Sequence, residues 1–115
     1  MRIHPKGSEA SKLRQRKFAL LRTLRIPVDA LPGSLALIHR RCGKPTCHCA
    51  GGEGHPVWVL TYTYQGKKHV EWIPEEWVEE VRRRVGEGRA FQEAVREVLV
   101  TNAQLIVLAR KQRRR

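Results

Sequence analysis

The chain has 115 residues, 41% hydrophobic and 30% charged, with 23 Lys/Arg against 11 Asp/Glu for a formal charge of +12. That length allows one domain at most with a modest core, which a metal staple or a partner chain would help to stabilise. No apolar run approaches the roughly 20 residues of a membrane span, and Met1 to Lys6 lack the apolar stretch of a secretory signal, so a cytoplasmic protein without a membrane partner is expected.

The charge is unevenly distributed. Residues 1 to 26 hold eight Lys/Arg against Glu9 alone, residues 110 to 115 hold five against none, and residues 27 to 109 hold ten of each sign. Basic ends on a neutral middle suit a polyanion such as DNA or RNA better than a general need for solubility. Solvated basic tails are the plainer alternative, because charge by itself carries no specificity.

Residues 8 to 25 read as a helix with Ser8 as N-cap and Glu9 in the first turn. Ala10, Leu13, Lys17, Leu20, Leu21 and Leu24 fall near one face, and Pro27 closes the element. After the Leu31-Pro32-Gly33 turn, Leu35 to Arg40 is expected as a strand.

Cys42, Cys47 and Cys49, the only cysteines, then follow within eight residues, and His55 lies six further on. Three thiolates and an imidazole fill the tetrahedral shell of a structural Zn²⁺ and leave no open position for an activated water. An odd cysteine count cannot close into a disulfide framework, and an iron-sulfur cluster would want a fourth cysteine. His48, squeezed between two ligands, is the competing fourth ligand, and His55 completes the shell with less strain.

Val57 to Tyr64 and Lys67 to Ile73 are two extended runs around Gln65-Gly66. A three-residue loop would gather Trp58, Leu60, Tyr62, Val70 and Trp72 on one apolar face, with Thr61, Thr63, Lys67, His69 and Glu71 opposite; a two-residue loop would mix them. The first is expected, with the aromatics in the core.

Pro74-Glu75-Glu76 opens a long helix, with proline in the first turn and carboxylates at the positive end of the dipole. Gly86 and Gly88 interrupt its apolar stripe and mark a potential bend. Beyond them Phe91, Val95, Val98, Asn102, Leu105 and Ala109 recur at heptad spacing, as in a dimeric coiled coil whose register a buried Asn102 would set. Leu99, Ile106 and Val107 widen the stripe, so packing onto the helix at 8 to 25 or onto the hairpin within one chain competes with the dimer.

The expected fold is therefore α+β: an N-terminal helix, a small antiparallel sheet with a zinc-binding loop, and a long C-terminal helix. The expected organisation is a basic helix and linker at 1–30, a zinc-loop and hairpin core at 31–74, and the long helix with its basic tail at 75–115.

The run from Cys42 to Pro56, the Trp/Tyr-rich strand after it, Gly66-Lys67, and Trp72-Ile73-Pro74-Glu75 leading into a charged helix resemble a family of short prokaryotic proteins classed as a domain of unknown function, over roughly residues 32 to 110. The resemblance implies Cys42, Cys47, Cys49 and His55 as metal ligands, Gly43, Lys44 and Gly66 as loop positions, and an accessory DNA-handling role beside transposases or within mobile elements. Val57 and Trp58 stand where the family tends to show Pro-Tyr or a related aromatic pair.

The function expected is a small zinc-stabilised nucleic-acid-binding protein, with DNA favoured over RNA. Phosphate contacts are expected from Arg14, Arg16, Lys17, Arg40, Arg41, Lys44, Lys67 and Lys68, with Arg110, Lys111, Arg113, Arg114 and Arg115 as a further arm. The alternative is a dimeric zinc adaptor for another protein such as a transposase or recombinase. Catalysis is not expected: the one aspartate, Asp29, sits in a linker, and no Ser-His-Asp set or convergent acidic pair is present.

Overall fold

The computed structural model describes residues 2–41, 52 and 54–113. In chain order they form helix α1 (Ser8–Thr23), strands β1 (Ser34–Arg40), β2 (His55–Tyr64) and β3 (Lys67–Ile73), a 3-10 turn at Glu75–Trp77, and helix α2 (Val78–Lys111). The strands make one antiparallel sheet in the order β1-β2-β3. The α+β class, with its N-terminal helix, antiparallel sheet and long C-terminal helix, is the one the sequence predicts.

The chain divides into two compact units, Met1–Pro27 with Arg89–Arg115, and Val28–Gly88. In the first, α1 runs antiparallel to the C-terminal part of α2. Arg16 pairs with Glu97, Lys17 Nζ donates to Asn102 Oδ1 at 3.0 Å, and the Lys6 N–H donates to Gln112 Oε1 at 2.9 Å. Ala10, Val98, Thr101 and Leu105 are buried there, and Leu13, Lys17 and Leu20 half-buried.

Both ends of α1 differ from the sequence reading. Gly7, at φ 103°, takes the cap position and Ser8 is already helical, its side chain making no cap bond. The helix ends at Thr23, before Pro27, because Leu24 turns extended and the Arg25 guanidinium donates to the Arg22 and Leu24 carbonyls that the last turn leaves unpaired.

In the second unit the β2–β3 turn overturns the expected three-residue loop. Tyr64 pairs directly with Lys67, and Gln65 and Gly66 are both left-handed, at φ 52° and 77°. That is the two-residue turn whose twist matches the flanking strands. The shorter loop shifts register by one, so Trp58, Leu60 and Tyr62 share a face with Ile73, Glu71 and His69, while Val70 and Trp72 lie on the other. The core forms on the first face, where Leu60 meets Val81 and Val85 of α2 with Leu31, Leu35, Tyr62 and Ile73 packed around them. Trp72, expected inside, is 65% exposed, and Trp77 and Tyr64 are exposed as well.

Pro74 caps the 3-10 turn, accepting a 3.0 Å bond from the Trp77 N–H, and the α-helix proper starts only at Val78. No break occurs at Gly86 or Gly88, and α2 continues through both. Gly88 has a packing role instead. A Cβ there would sit 2.1 Å from the Leu31 carbonyl oxygen, and the Leu31 N–H donates to the Arg84 carbonyl at 3.0 Å. The bare glycine backbone lets the segment before β1 lie directly on the helix.

Candidate nucleic-acid interface and metal loop

The two basic ends of the chain belong to one unit. Met1–Pro27 with Arg89–Arg115 holds fifteen Lys/Arg against Glu9, Glu93 and Glu97, which is the whole formal charge of +12, whereas Val28–Gly88 holds eight of each sign. The ends are pinned together at Lys6 and Gln112, whose amide also donates back to the Lys6 carbonyl at 2.6 Å. Nine of these cations lie on the two antiparallel helices, and together with those flanking them in sequence they give the unit a concentrated positive charge that a polyanion would neutralise.

Within this unit the expected phosphate contacts separate into three groups. Arg16 and Lys17 face α2, engaged by Glu97 and Asn102. Arg14 is half-buried and donates to the Pro5 carbonyl at 2.9 Å. Arg110, Lys111 and Arg113 are exposed at the end of α2 and just beyond it, while Arg114 and Arg115 lie outside the described residues.

In the neutral unit, Arg40 ends β1 and is exposed, and the Arg41 Nε donates to the Gly52 carbonyl at 2.9 Å. Lys44 lies outside the described residues. Lys67 and Lys68 open β3 and are exposed. Because Arg40 pairs with His55 and Lys68 with Thr63, these groups sit at opposite ends of β2, about 27 Å apart at the usual rise per strand residue. The sheet does not bring them into one patch.

Cys42, Cys47 and Cys49 fall outside the described residues. His55, the fourth expected ligand, is the half-buried first residue of β2 and pairs across the sheet with Arg40. The chain thus leaves β1 and enters β2 at adjacent points. Gly54, at φ 98°, makes this approach possible, since a Cβ there would lie 2.6 Å from the Arg40 carbonyl carbon. The donor set suits zinc: thiols and imidazole are the ligands of structural sites.

Some of the opposite charges of the second unit pair along the first turns of α2. Glu80 accepts from Arg83 and, at 2.7 Å, from Arg84, and Arg83 also bonds Glu87 at 2.7 Å. These hydrogen bonds lower the Glu80 carboxyl from its ordinary 4.5 to about 2. The Arg82 guanidinium lies over the Trp58 ring, 5.4 Å from its centroid.

The expected dimer seam is divided. Val98 and Leu105 are buried in the single chain, Phe91, Val95 and Ala109 are half-buried, and Asn102 is exposed, bonded to Lys17. Between the two buried positions it is Thr101, 3% exposed and back-bonded to the Glu97 carbonyl at 2.8 Å, that faces inward. A neighbouring line stays exposed, with Leu99 at 61% and Ile106 at 51%. Among the described residues no helix is long and apolar enough to cross a membrane.

A family model described as a domain of unknown function matches residues 10–83, from the first turns of α1 into the N-terminal part of α2. No curated protein and no solved structure matches the chain.

Proposed function

The chain belongs to that family, DUF6788, and on this footing we propose that it is a small zinc-stabilised nucleic-acid-binding protein, acting on DNA in preference to RNA. The observation that carries the reading is the collection of the whole net charge of +12 in the two-helix unit, built from two segments that 61 residues of sequence separate. Zinc, held by Cys42, Cys47, Cys49 and His55, would staple the β1–β2 connection in the neutral unit and supply stability rather than chemistry. The preference for DNA, and a role as an accessory factor of a mobile element, come from the family resemblance and are part of the proposal. The protein is read as a binder and not an enzyme.

The test is an anisotropy titration of labelled duplex DNA with metal-loaded protein at several salt concentrations. Binding at low salt that falls steeply as salt rises supports the reading. Absence of binding to any nucleic acid at low salt rejects it.

A second reading, a dimeric adaptor for a transposase or recombinase, has its own support in the exposed line of Leu99, Val100, Ile106 and Val107 on α2. Such a line suits another copy or a protein partner better than a phosphate backbone.

A further inference from the structure

Resting on the nucleic-acid reading, we infer that the outward face of α1 is the base-reading surface, entering the major groove of duplex DNA with Gln15 and Phe18 as its specificity residues. Which face of α1 points outward is settled by its inner contacts: Arg16 to Glu97, Lys17 to Asn102, Ala10 fully buried. Ser11, Gln15, Phe18 and Arg22 recur at spacings of 4, 3 and 4, and with Arg14 they line one shallow depression on the opposite side. Gln15 and Arg22 are exposed, and Phe18 stands 50% exposed although the inner face of the same helix is lined by Ala10, Leu13 and Leu20.

These are the side-chain types that distinguish base pairs. An amide can bond adenine at two edge atoms, a guanidinium can do the same at guanine, and an apolar ring can contact the thymine methyl. Arg14, Lys12 and Arg25 around them suit phosphate, and the Pro5 carbonyl holds the Arg14 guanidinium in place. Glu9 is the single carboxylate of α1, so nothing along the outward face beyond the first turn repels a phosphate backbone. Charge complementarity selects the occupant: this face belongs to the unit that carries the entire excess.

The test is selection from a pool of duplexes with a randomised centre, using full-length, metal-loaded protein and the variants Gln15→Ala and Phe18→Ala. Both positions are exposed enough to be changed without unfolding, and both are uncharged. Wild type is expected to enrich a motif, and Gln15→Ala to lose preference at one position by about 5- to 150-fold, the range of a good bidentate base contact. Affinity for non-motif duplex and its salt slope should not change, which separates a lost base contact from a lost phosphate contact.

The inference is overturned, with the nucleic-acid reading intact, if wild type binds duplex without enriching a motif, if all three proteins enrich the same motif, or if only a single-stranded pool is enriched. Polyglutamate competing as strongly as duplex would assign the face to an acidic protein. Failure to bind any nucleic acid removes both this inference and the reading beneath it.

Discussion

Two glycines in α2, two residues apart, have opposite environments. Gly86 has nothing within 4 Å of a built Cβ, whereas at Gly88 the Leu31 carbonyl oxygen would be 2.1 Å away. Gly86→Ala should therefore raise stability by about 0.5–1 kcal/mol, the usual helix-propensity gain. Gly88→Ala should lower it by about 1–3 kcal/mol as the Leu31 segment is forced off the helix. Chemical denaturation of the two variants checks both signs. Glu80 gives a residue-level pH dependence. Its carboxyl is lowered to about 2 by Arg83 and Arg84, so its contribution is present above the ordinary carboxylate value and lost as pH falls through the folded one. Melting temperature measured from about pH 5 to about pH 2 should fall less steeply for Glu80→Gln, and the effect should be small because the group is exposed. For the metal, Cys47→Ser should abolish binding while His48→Ala should not, as elemental analysis of purified protein will show.

At the scale of elements, the C-terminal part of α2 has two apolar lines with different uses. Val98 and Leu105 are buried within the chain; Leu99 and Ile106 remain outside. Leu105→Ala should cost about 2–5 kcal/mol, a large-to-small core change, measured by denaturation whatever the oligomeric state. Leu99→Gln with Ile106→Gln should leave stability within about 0.5 kcal/mol. If copies of the chain associate, the double change should also dissociate them in light scattering at micromolar concentration. A dimer that survives this change would place the contact elsewhere. The heptad 91–109 was readable in sequence, but which of two adjacent lines turns inward was not. Thr101 and Asn102 flank the Val98–Leu105 line on either side, and the packing of α1 within the chain buries Thr101 and leaves Asn102 exposed, bonded to Lys17.

For the whole molecule, the charge of the two-helix unit predicts the salt response. Each Lys or Arg that neutralises a phosphate should add close to one unit to the slope of log affinity against log salt. Removing the last six residues, which hold five cations, should flatten that slope in duplex titrations. Arg40→Ala with Arg41→Ala should change it less, since both groups belong to the neutral unit. An equal change would move the interface to the sheet. Chelation should lower the melting temperature, because a structural metal's binding energy contributes to folding.

The element order, the α+β class and the excess of charge at both ends were legible in the sequence, because hydrophobic period, proline and glycine punctuation and charge counts are local properties. The cysteines and histidine on which the proposed metal site rests are equally local in sequence. Three things waited for tertiary structure. The β2–β3 register depends on whether Gln65 accepts a left-handed conformation, and that one residue decides whether Trp72 is core or surface. The inner face of α1 was legible from its apolar period, but what it packs against was not: Glu97 and Asn102, which bond Arg16 and Lys17, lie more than 80 residues away. The joining of the basic ends at Lys6 and Gln112 is likewise a long-range contact, and no window of sequence contains both partners.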